Sequence, residues 1–247
     1  MQAFWSSDGE RIGYLGDPRP EAGLIEQPQA WSMRASGGRA TKLAGLQGEI
    51  SGAAFSPSGK LAYVGLDDPS FSGSTNLGLW VREGRRTRRL GEELDRTFFF
   101  IVVGDLLDFG ALAPVPVIWL DDESVVTPVT DRGSCVPYRF GLDGSVERLV
   151  ERDDAACTWL AAGGGRLVTV ASVDGGACDV YAEEDGDLRR LSRNGGSWFG
   201  PYRRDPERHA IRHRDGHEVD AWVVRPRAPA CTGFESRGGV AWPRPES

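Results

Sequence analysis

Three histidines near one end of the sequence are the first candidates for chemistry. His209, His213 and His217 are spaced by four residues, and on a helix this spacing would place three imidazoles on one face, where they could bind zinc. The Asp215-Gly216 pair between them instead predicts a two-residue β-hairpin turn, because both central positions of that turn require positive φ. We therefore expect a surface hairpin in which His209 and His213 share a strand face and His217 lies past the turn, and no metal site.

Two acidic runs and one basic run also carry enough charge to suggest a site. Asp121-Asp122-Glu123 and Glu183-Glu184-Asp185 could supply paired carboxylates for acid–base chemistry or oxygen ligands for calcium. Each falls at a predicted turn between strands, which favours solvated turn residues. The basic run, residues 85–89, has no interleaved aromatic residue and lies in a predicted strand. With a net charge of −7, nucleic acid is not an expected partner.

Serine and cysteine nucleophiles do not occur in a recognisable pattern. The exposed serine of many hydrolases lies in Gly-x-Ser-x-Gly, and the two nearest matches, residues 195–200 and 233–238, each contain one residue too many. The cysteines are Cys135, Cys157, Cys178 and Cys231, and no pair has the short CxxC spacing of a zinc or redox site. We interpret the cysteines as reduced packing residues, and we predict no catalytic residue and no cofactor.

The composition indicates many short elements joined by tight turns. Among 247 residues there are 33 glycines and 15 prolines, and the hydrophobic content of 40% is enough for a core, so disorder and collagen are both excluded. The longest uninterrupted apolar run, residues 98–103, is far shorter than the ~20 residues of a membrane span. No secretory signal is visible at the start, which predicts a cytoplasmic protein with no membrane partner.

A repeat with the order aromatic strand, turn and further strands occurs four times. Its clearest copy begins at residues 50–55, turns at Ser56-Pro57-Ser58-Gly59, and continues through residues 60–64, 77–81 and 85–90. The other copies begin near Phe4, Val117 and Trp159. The copies close at Leu43, Leu90, Leu149 and Leu191, which are 47, 59 and 42 residues apart. Propeller blades repeat at about 40 to 50 residues. The longest interval places an insertion around residues 92–112.

The fold class that follows is all-β, a β-propeller of four-stranded blades with about four blade-like repeats. A closed ring needs about four to eight blades, so this chain closes tightly, pairs with another copy, or belongs to a larger ring; we favour an incomplete ring. Tryptophan recurs near once per blade and is expected in the core between blades rather than in a stacked ligand platform; the residues concerned are Trp5, Trp31, Trp80, Trp119 and Trp159.

Three segments are predicted along the chain. Residues 1–204 form the propeller blades, and residues 205–226 form the hairpin around Asp215-Gly216. Residues 227–247 are rich in Pro, Gly, Arg and Ala with no period, which predicts a disordered or out-of-frame tail.

Two motifs, in this order, resemble one family. The blade signatures at residues 56–63 and 185–192, followed by Asp-Gly-His-Glu-Val-Asp-Ala-Trp-Val-Val-Arg-Pro at residues 215–226, are similar to the prolyl oligopeptidase family of serine peptidases, most of all to its acylaminoacyl-peptidase and dipeptidyl-peptidase-like branch. In that family the propeller precedes an α/β-hydrolase domain, and the Asp-Gly hairpin begins the hydrolase. The resemblance covers about residues 1–226.

The resemblance implies a gating function without catalysis. The family's Gly-x-Ser-x-Gly, Asp and His do not follow the hairpin, so no catalytic residue is carried over and this chain is predicted to be inactive alone. We expect the non-catalytic, substrate-gating propeller of a hydrolase truncated before its catalytic domain, with short peptides as partners. The alternative is a free-standing propeller that binds a protein or peptide, and an open propeller could also self-associate.

Overall fold

The computed structural model describes residues 2–24, 27–69, 75–100, 117–194 and 200–225. The chain divides into two compact units, Met1–Arg203 and Arg204–Ser247. The predicted tail at residues 227–247 and most of the predicted insertion lie outside the described residues. Short 3₁₀ turns occur at Pro20–Gly23 and Gly200–Tyr202, and every longer element of the described chain is a β-strand.

The first unit consists of four-stranded antiparallel sheets that follow one another along the sequence. We call them blades 1 to 4. Blade 1 contains β1 (Ala3–Trp5), β2 (Arg11–Gly16), β3 (Gln29–Arg34) and β4 (Thr41–Ala44). Blade 2 contains β5 (Ile50–Phe55), β6 (Leu61–Gly65), β7 (Gly78–Glu83) and β8 (Arg86–Leu90). Blade 3 contains β9 (Ile118–Trp119), β10 (Ser124–Asp131), β11 (Ser134–Gly141) and β12 (Val146–Arg148). Blade 4 contains β13 (Ala155–Gly163), β14 (Arg166–Val173), β15 (Asp179–Glu184) and β16 (Asp187–Arg190).

Strand order within each blade is the same as sequence order. Blades 1 and 2 are separate sheets, whereas a single parallel bridge between Cys135 and Ala156 joins blades 3 and 4 into one eight-stranded sheet. The first strand of each blade lies against the first strand of the next, so that β1, β5, β9 and β13 form a continuous row. Four blades with adjacent inner strands are the arrangement of a propeller, and the predicted fold class is confirmed.

The turns that close these blades follow from their sequence. In the Ser56–Lys60 turn, Ser56 N donates to Lys60 O at 2.8 Å and Gly59 N to Ser56 O at 3.0 Å, with Gly59 at φ +86°. This is a three-residue loop whose last position is left-handed, where glycine is favoured because it has no Cβ. The Asp185-Gly186 turn is shorter and has positive φ at both residues.

Apolar side chains fill the spaces between successive blades. Tyr63 of blade 2 is 2% exposed and stacks on Trp80, with ring centroids 5.9 Å apart, against Leu15, Ala30 and Ala44 of blade 1. A second cluster joins the other face of blade 2 to blade 3; its members include Val64, Leu79, Phe98, Val125 and Phe140. A third cluster joins blades 3 and 4; its members include Val136, Val150, Cys157, Ala171 and Tyr181. Each blade therefore stabilises its neighbour, as two-faced sheets require.

No closed ring is found among the described residues, which fits an incomplete propeller. The row of inner strands ends at β1 on one side and at β13 on the other. One connection is long: residues 91–117 separate β8 from β9, against residues 45–49 and 149–154 at the other two blade junctions. The insertion predicted around residues 92–112 therefore falls within this connection.

Three of the five tryptophan predictions are wrong. Trp80 is nearly buried between blades, and Trp119 packs against the cluster that joins blades 2 and 3, but Trp5 is 62% exposed and Trp31 and Trp159 are partly exposed. The strand register places Trp5 and Trp31 on the face of blade 1 that is turned away from blade 2, and Trp159 on the face of blade 4 that is turned away from blade 3. Among the described residues, no further blade lies against either face.

The second unit contains a hairpin of β17 (Glu207–Arg212) and β18 (Glu218–Val223). The hairpin prediction is confirmed, but the predicted turn type is wrong. His213 N donates to His217 O at 2.8 Å and Gly216 N to His213 O at 3.0 Å, and Gly216 has positive φ whereas Asp215 does not. The loop thus has three residues, Arg214 to Gly216, and needs only one left-handed position. Across the described chain, no helix is long and apolar enough to cross a bilayer.

Candidate functional site at the inner strands and the terminal hairpin

Two of the three histidines, His213 and His217, face each other at the tip of the hairpin, and the third lies on its first strand. His209 is on β17, with Nε2 3.7 Å from a Glu207 carboxylate oxygen. His213 Nδ1 is 2.8 Å from Asp215, whose carboxylate also accepts a hydrogen bond from His217 N at 3.0 Å. Both contacts lower the pKa of Asp215, the His213 contact most. These groups fix the turn, and residues 204–225 include no serine or cysteine to which a histidine could act as a base.

One face of the hairpin carries three large apolar side chains beside Glu207 and His209. Antiparallel partners share a face, and the pairs Ile211–Val219, His209–Ala221 and Glu207–Val223 define this one. Ile211 is 54% exposed, Val219 55% and Val223 40%. An isolated two-stranded hairpin is at best marginally stable in water, so these exposed apolar side chains are suited to packing against further chain.

Ion pairs stabilise both faces of the hairpin. On the face opposite Ile211, Arg208 Nε and Nη2 donate to the Asp220 carboxylate, at 3.0 and 2.9 Å, and the guanidinium carbon lies 5.9 Å from the Trp222 ring centroid. On the same face as Val223, at the open end, Arg225 donates two hydrogen bonds to Glu207, at 2.8 and 3.0 Å. The Arg225 bond is the main reason that the pKa of Glu207 is lowered. These charged groups are thereby paired within the hairpin, whereas Ile211, Val219 and Val223 remain exposed.

The inner strands of the propeller unit are tied by side chains that cross from blade to blade. The Gln2 amide donates to Ala53 O at 3.1 Å and accepts from Ala53 N at 3.0 Å. On the other side of β5, Trp119 Nε1 donates to Ala54 O at 3.1 Å. These bonds hold β1 and β9 on either side of β5, so the part of the blades nearest the axis is rigidly positioned.

The acidic run at residues 121–123 has a structural function that the sequence did not indicate. The Asp122 carboxylate accepts hydrogen bonds from Ser56 Oγ and Ser58 N, both at 2.7 Å. The Ser58 side chain most of all, and then these two bonds, lower the pKa of Asp122. Lys60 Nζ donates to Asp122 O at 2.8 Å and to Glu123 at 3.0 Å. A turn of blade 3 is thus fastened to a turn of blade 2. Only the folded structure reveals this link between the two turns, because the partners are more than 60 residues apart in sequence.

Asp179, on β15, is the other acidic residue that sequence reasoning missed. Its side chain has no exposed surface. It accepts hydrogen bonds from Ser192 Oγ at 2.7 Å and Asn194 N at 2.8 Å, and it pairs with Arg190. Burial by itself raises the pKa of Asp179, but the bonds from Asn194, Ser192 and Arg190 outweigh it and lower the pKa. Asp179 therefore anchors the segment that leaves blade 4.

The remaining candidates are placed as follows. Cys135 and Cys157 are free and buried, which raises the pKa of each thiol to about 12. Cys178 is free and partly exposed, while Cys231 and both Gly-x-Ser-x-Gly near-matches lie wholly or mostly outside the described residues. The basic run lies mostly on β8, whose side chains are exposed except for Leu90. In the described part of the chain, no three His, Cys, Asp or Glu side chains are grouped to hold a metal ion.

Comparison with known proteins gives matches in structure only. Neither a family model nor a curated protein matches the sequence. Acylaminoacyl peptidase from Pyrococcus horikoshii superposes with a TM-score of 0.62 at 17% identity, over 92% of this chain and 33% of that chain. Puromycin hydrolase gives a TM-score of 0.60 at 18% identity, over 92% of this chain and 34% of that chain.

A third match is itself an isolated propeller. The β-propeller domain of the trilobed protease from Pyrococcus furiosus, described as having an open velcro topology, gives a TM-score of 0.50 at 13% identity, over 78% of this chain and 51% of that chain. At these identities the matches establish the fold. The chain spans about one third of the length of the two hydrolases, and it has the fold of the propeller portion of acylaminoacyl peptidase and puromycin hydrolase.

Proposed function

We propose that this chain is the non-catalytic, substrate-gating propeller portion of a serine oligopeptidase of the acylaminoacyl-peptidase type. The observation that carries the proposal is the order of parts: four propeller blades, then a hairpin with three large apolar side chains exposed on one face. A propeller alone does not specify a function, and many propellers bind partners without any hydrolase. The hairpin is what favours a hydrolase over a free-standing binding propeller.

The hairpin is suited to begin a second sheet-containing domain. Its ion pairs satisfy charged groups on both faces, whereas Ile211, Val219 and Val223 remain exposed on one of them. Burying such side chains fully is worth about 1.5–3 kcal/mol each. A helix or sheet of a hydrolase domain laid on this face would supply that burial, and the hairpin would become an edge of the larger domain.

The blades are suited to restrict access to an active site. Their inner strands are cross-linked by Gln2 and Trp119, and the Asp122 contacts fasten the turns of blades 2 and 3. A rigid set of blades excludes folded proteins by size and admits short, flexible peptides, which are the partners we propose. The free thiols of the described chain are compatible with a reducing compartment such as the cytoplasm, which is the location we propose.

Serine labelling tests whether the chain has an active site of its own. The purified chain is incubated with an alkyl fluorophosphonate and, separately, with acyl-peptide chromogenic substrates, with the Pyrococcus horikoshii acylaminoacyl peptidase as positive control. We expect no mass increase and no hydrolysis by this chain under conditions that label the control fully. Stoichiometric labelling of any serine in this chain would overturn the proposal of a non-catalytic portion.

A partner screen tests the gating part of the proposal. We expect short peptides, and no folded protein other than the chain itself, to bind the chain. Recovery of a different folded protein in stoichiometric amount by a monodisperse, folded chain would contradict gating and favour the free-standing binding propeller.

A further inference from the structure

In the described part of the propeller unit, blades 1 and 4 each carry an apolar face that no other blade covers. On blade 1, the leading face contains Trp5, Ile12, Tyr14, Trp31 and Met33, which alternate along their strands with the residues that pack on blade 2. Trp5 is 62% exposed, and the other four are partly exposed. A contiguous apolar surface of this kind on a folded protein marks an interaction site.

Blade 4 carries the second such face. This trailing face contains Trp159, Val168, Val170, Val180 and Leu191. The register places these side chains on one face of blade 4, and Cys157, Ala171 and Tyr181 on the other face, which packs on blade 3. Leu191 is 48% exposed and the other four are partly exposed. The described arc of blades thus begins and ends on apolar surface.

Internal repetition shows what kind of surface the leading face fits. In blade 2 the cross-strand pair Tyr63–Trp80 is buried by the blade that precedes it, and in blade 1 the equivalent pair is Tyr14–Trp31. Tyr63 and Trp80 are 2% and 9% exposed, whereas Tyr14 and Trp31 are only partly covered. The surface that would bury the leading face of blade 1 is therefore the trailing face of another blade.

The trailing face of blade 4 is a face of this kind. In blade 1 the corresponding face carries Leu15 and Ala30, which pack against the blade that follows. In blade 4 it is the face turned away from blade 3. The two faces are complementary in kind, but in the described residues the first strand of blade 4 and the first strand of blade 1 belong to different sheets and are not hydrogen-bonded to each other. A second copy of the chain offers both faces at once.

We propose that two copies of this chain associate head to tail, with the leading face of each packed on the trailing face of the other, to close an eight-bladed ring. Two identical contacts of this heterologous kind close a ring when the rotation between copies is half a turn. Eight blades are within the range of about four to eight in known propellers. The association uses blades 1 and 4 and is independent of the hairpin in the second unit.

The mass in solution is the first test. Sedimentation equilibrium of the full chain should give twice the 26.8 kDa of one copy. A single copy at about 100 μM, well above the micromolar Kd of a weak specific contact, would overturn the proposal. Filaments of growing mass would overturn the ring, because they would show that the contact does not close.

Charge placed on either face should abolish the dimer. Trp5→Glu alters the leading face and Leu191→Glu the trailing face, and both side chains are exposed in one copy, so each variant should fold, as checked by circular dichroism. Arg86→Glu, on exposed β8, is the control and should remain a dimer. If either face variant folds and still dimerises as the wild-type chain does, the proposal fails.

A mixture of the two face variants distinguishes head-to-tail from face-to-same-face association. Trp5→Glu retains a trailing face and Leu191→Glu retains a leading face, so the mixture should form a 1:1 dimer although each variant alone is a single copy. With one contact instead of two, the Kd of this mixed dimer should be at least about 100-fold higher than that of the ring. Absence of the mixed dimer at any concentration at which the wild-type chain is dimeric would refute the proposal.

Discussion

The buried carboxylate of Asp179 offers the sharpest single-residue test of the propeller unit. Its side chain is fully covered and accepts hydrogen bonds from Ser192 Oγ, Asn194 N and Arg190. The substitution Asp179→Ala removes all of these acceptors at once. Arg190 is 40% exposed and can turn toward water, so the cost is dominated by the two donors that stay buried.

The magnitude follows from those two donors. Leaving a buried donor without a partner costs about 1–3 kcal/mol, so we expect Asp179→Ala to lower the free energy of unfolding by about 3 kcal/mol. In a unit of about 200 residues, 1 kcal/mol shifts Tm by about 2–4 °C, which predicts a fall of about 6–12 °C. Asp179→Asn keeps an oxygen acceptor and loses only the charge, so its fall should be less than half as large.

The pH dependence of this effect has a definite sign. Because the pKa of Asp179 is lowered in the folded chain, its carboxylate stabilises the fold above the unfolded pKa of about 3.9. That stability is lost as the pH falls through the lower, folded value. The Tm difference between the wild-type chain and Asp179→Asn should therefore be constant near neutral pH and shrink below about pH 4.

Thermal unfolding followed by circular dichroism measures both effects. Glu184→Gln is the matched control, because Glu184 is on the same strand but forms an exposed ion pair with Arg189, and exposed pairs contribute little. A Tm change for Asp179→Ala no larger than that of the control would refute the reasoning. So would a Tm difference for Asp179→Asn that stays the same from pH 7 to pH 2.

Three further predictions concern the blade core, the thiols and the hairpin. Tyr63→Ala leaves a cavity between blades 1 and 2 and should lower the free energy of unfolding by about 3–5 kcal/mol, as for other buried aromatic residues. From the relation between free energy and Tm used for Asp179, a Tm within about 2 °C of wild type would contradict the packing. Cys135 and Cys157, with pKa raised to about 12 by burial, should resist iodoacetamide until the chain unfolds while Cys178 reacts first, as read by peptide mass spectrometry; equal labelling of all three in the folded chain would be inconsistent with this burial. Gly216→Val places a β-branched residue at φ +92° and should speed amide exchange in the hairpin without lowering the Tm of the blades, and unchanged exchange would argue against the left-handed turn.

Local signals in the sequence were sufficient for the blades. Turn residues such as Ser56-Pro57-Ser58-Gly59 bound the strands, and the predicted first strand of blade 2, residues 50–55, coincides with β5. These predictions succeeded because turn chemistry and alternation act over a few residues. The hairpin was found for the same reason, although the same Asp-Gly pair fits a two-residue or a three-residue loop, and only the backbone distinguishes them.

Features that depend on distant residues could not be predicted. The Asp122 carboxylate is in an acidic turn whose sequence predicts a solvated side chain. It instead accepts hydrogen bonds from two serines of the preceding blade. Trp5 has the same local pattern as the buried aromatics, and its exposure depends on which blades are neighbours. Asp179 gave no signal because Ser192 and Asn194 approach it only when β16 has paired with β15.

The central claim is that this propeller belongs with a serine hydrolase. The most direct measurement is the DNA sequence that follows the coding region at its native locus, translated in all three frames from the codon of Pro226. The account predicts a frame that encodes a strand, Gly-x-Ser-x-Gly, an Asp and a His, in that order. Three frames without these motifs would contradict it.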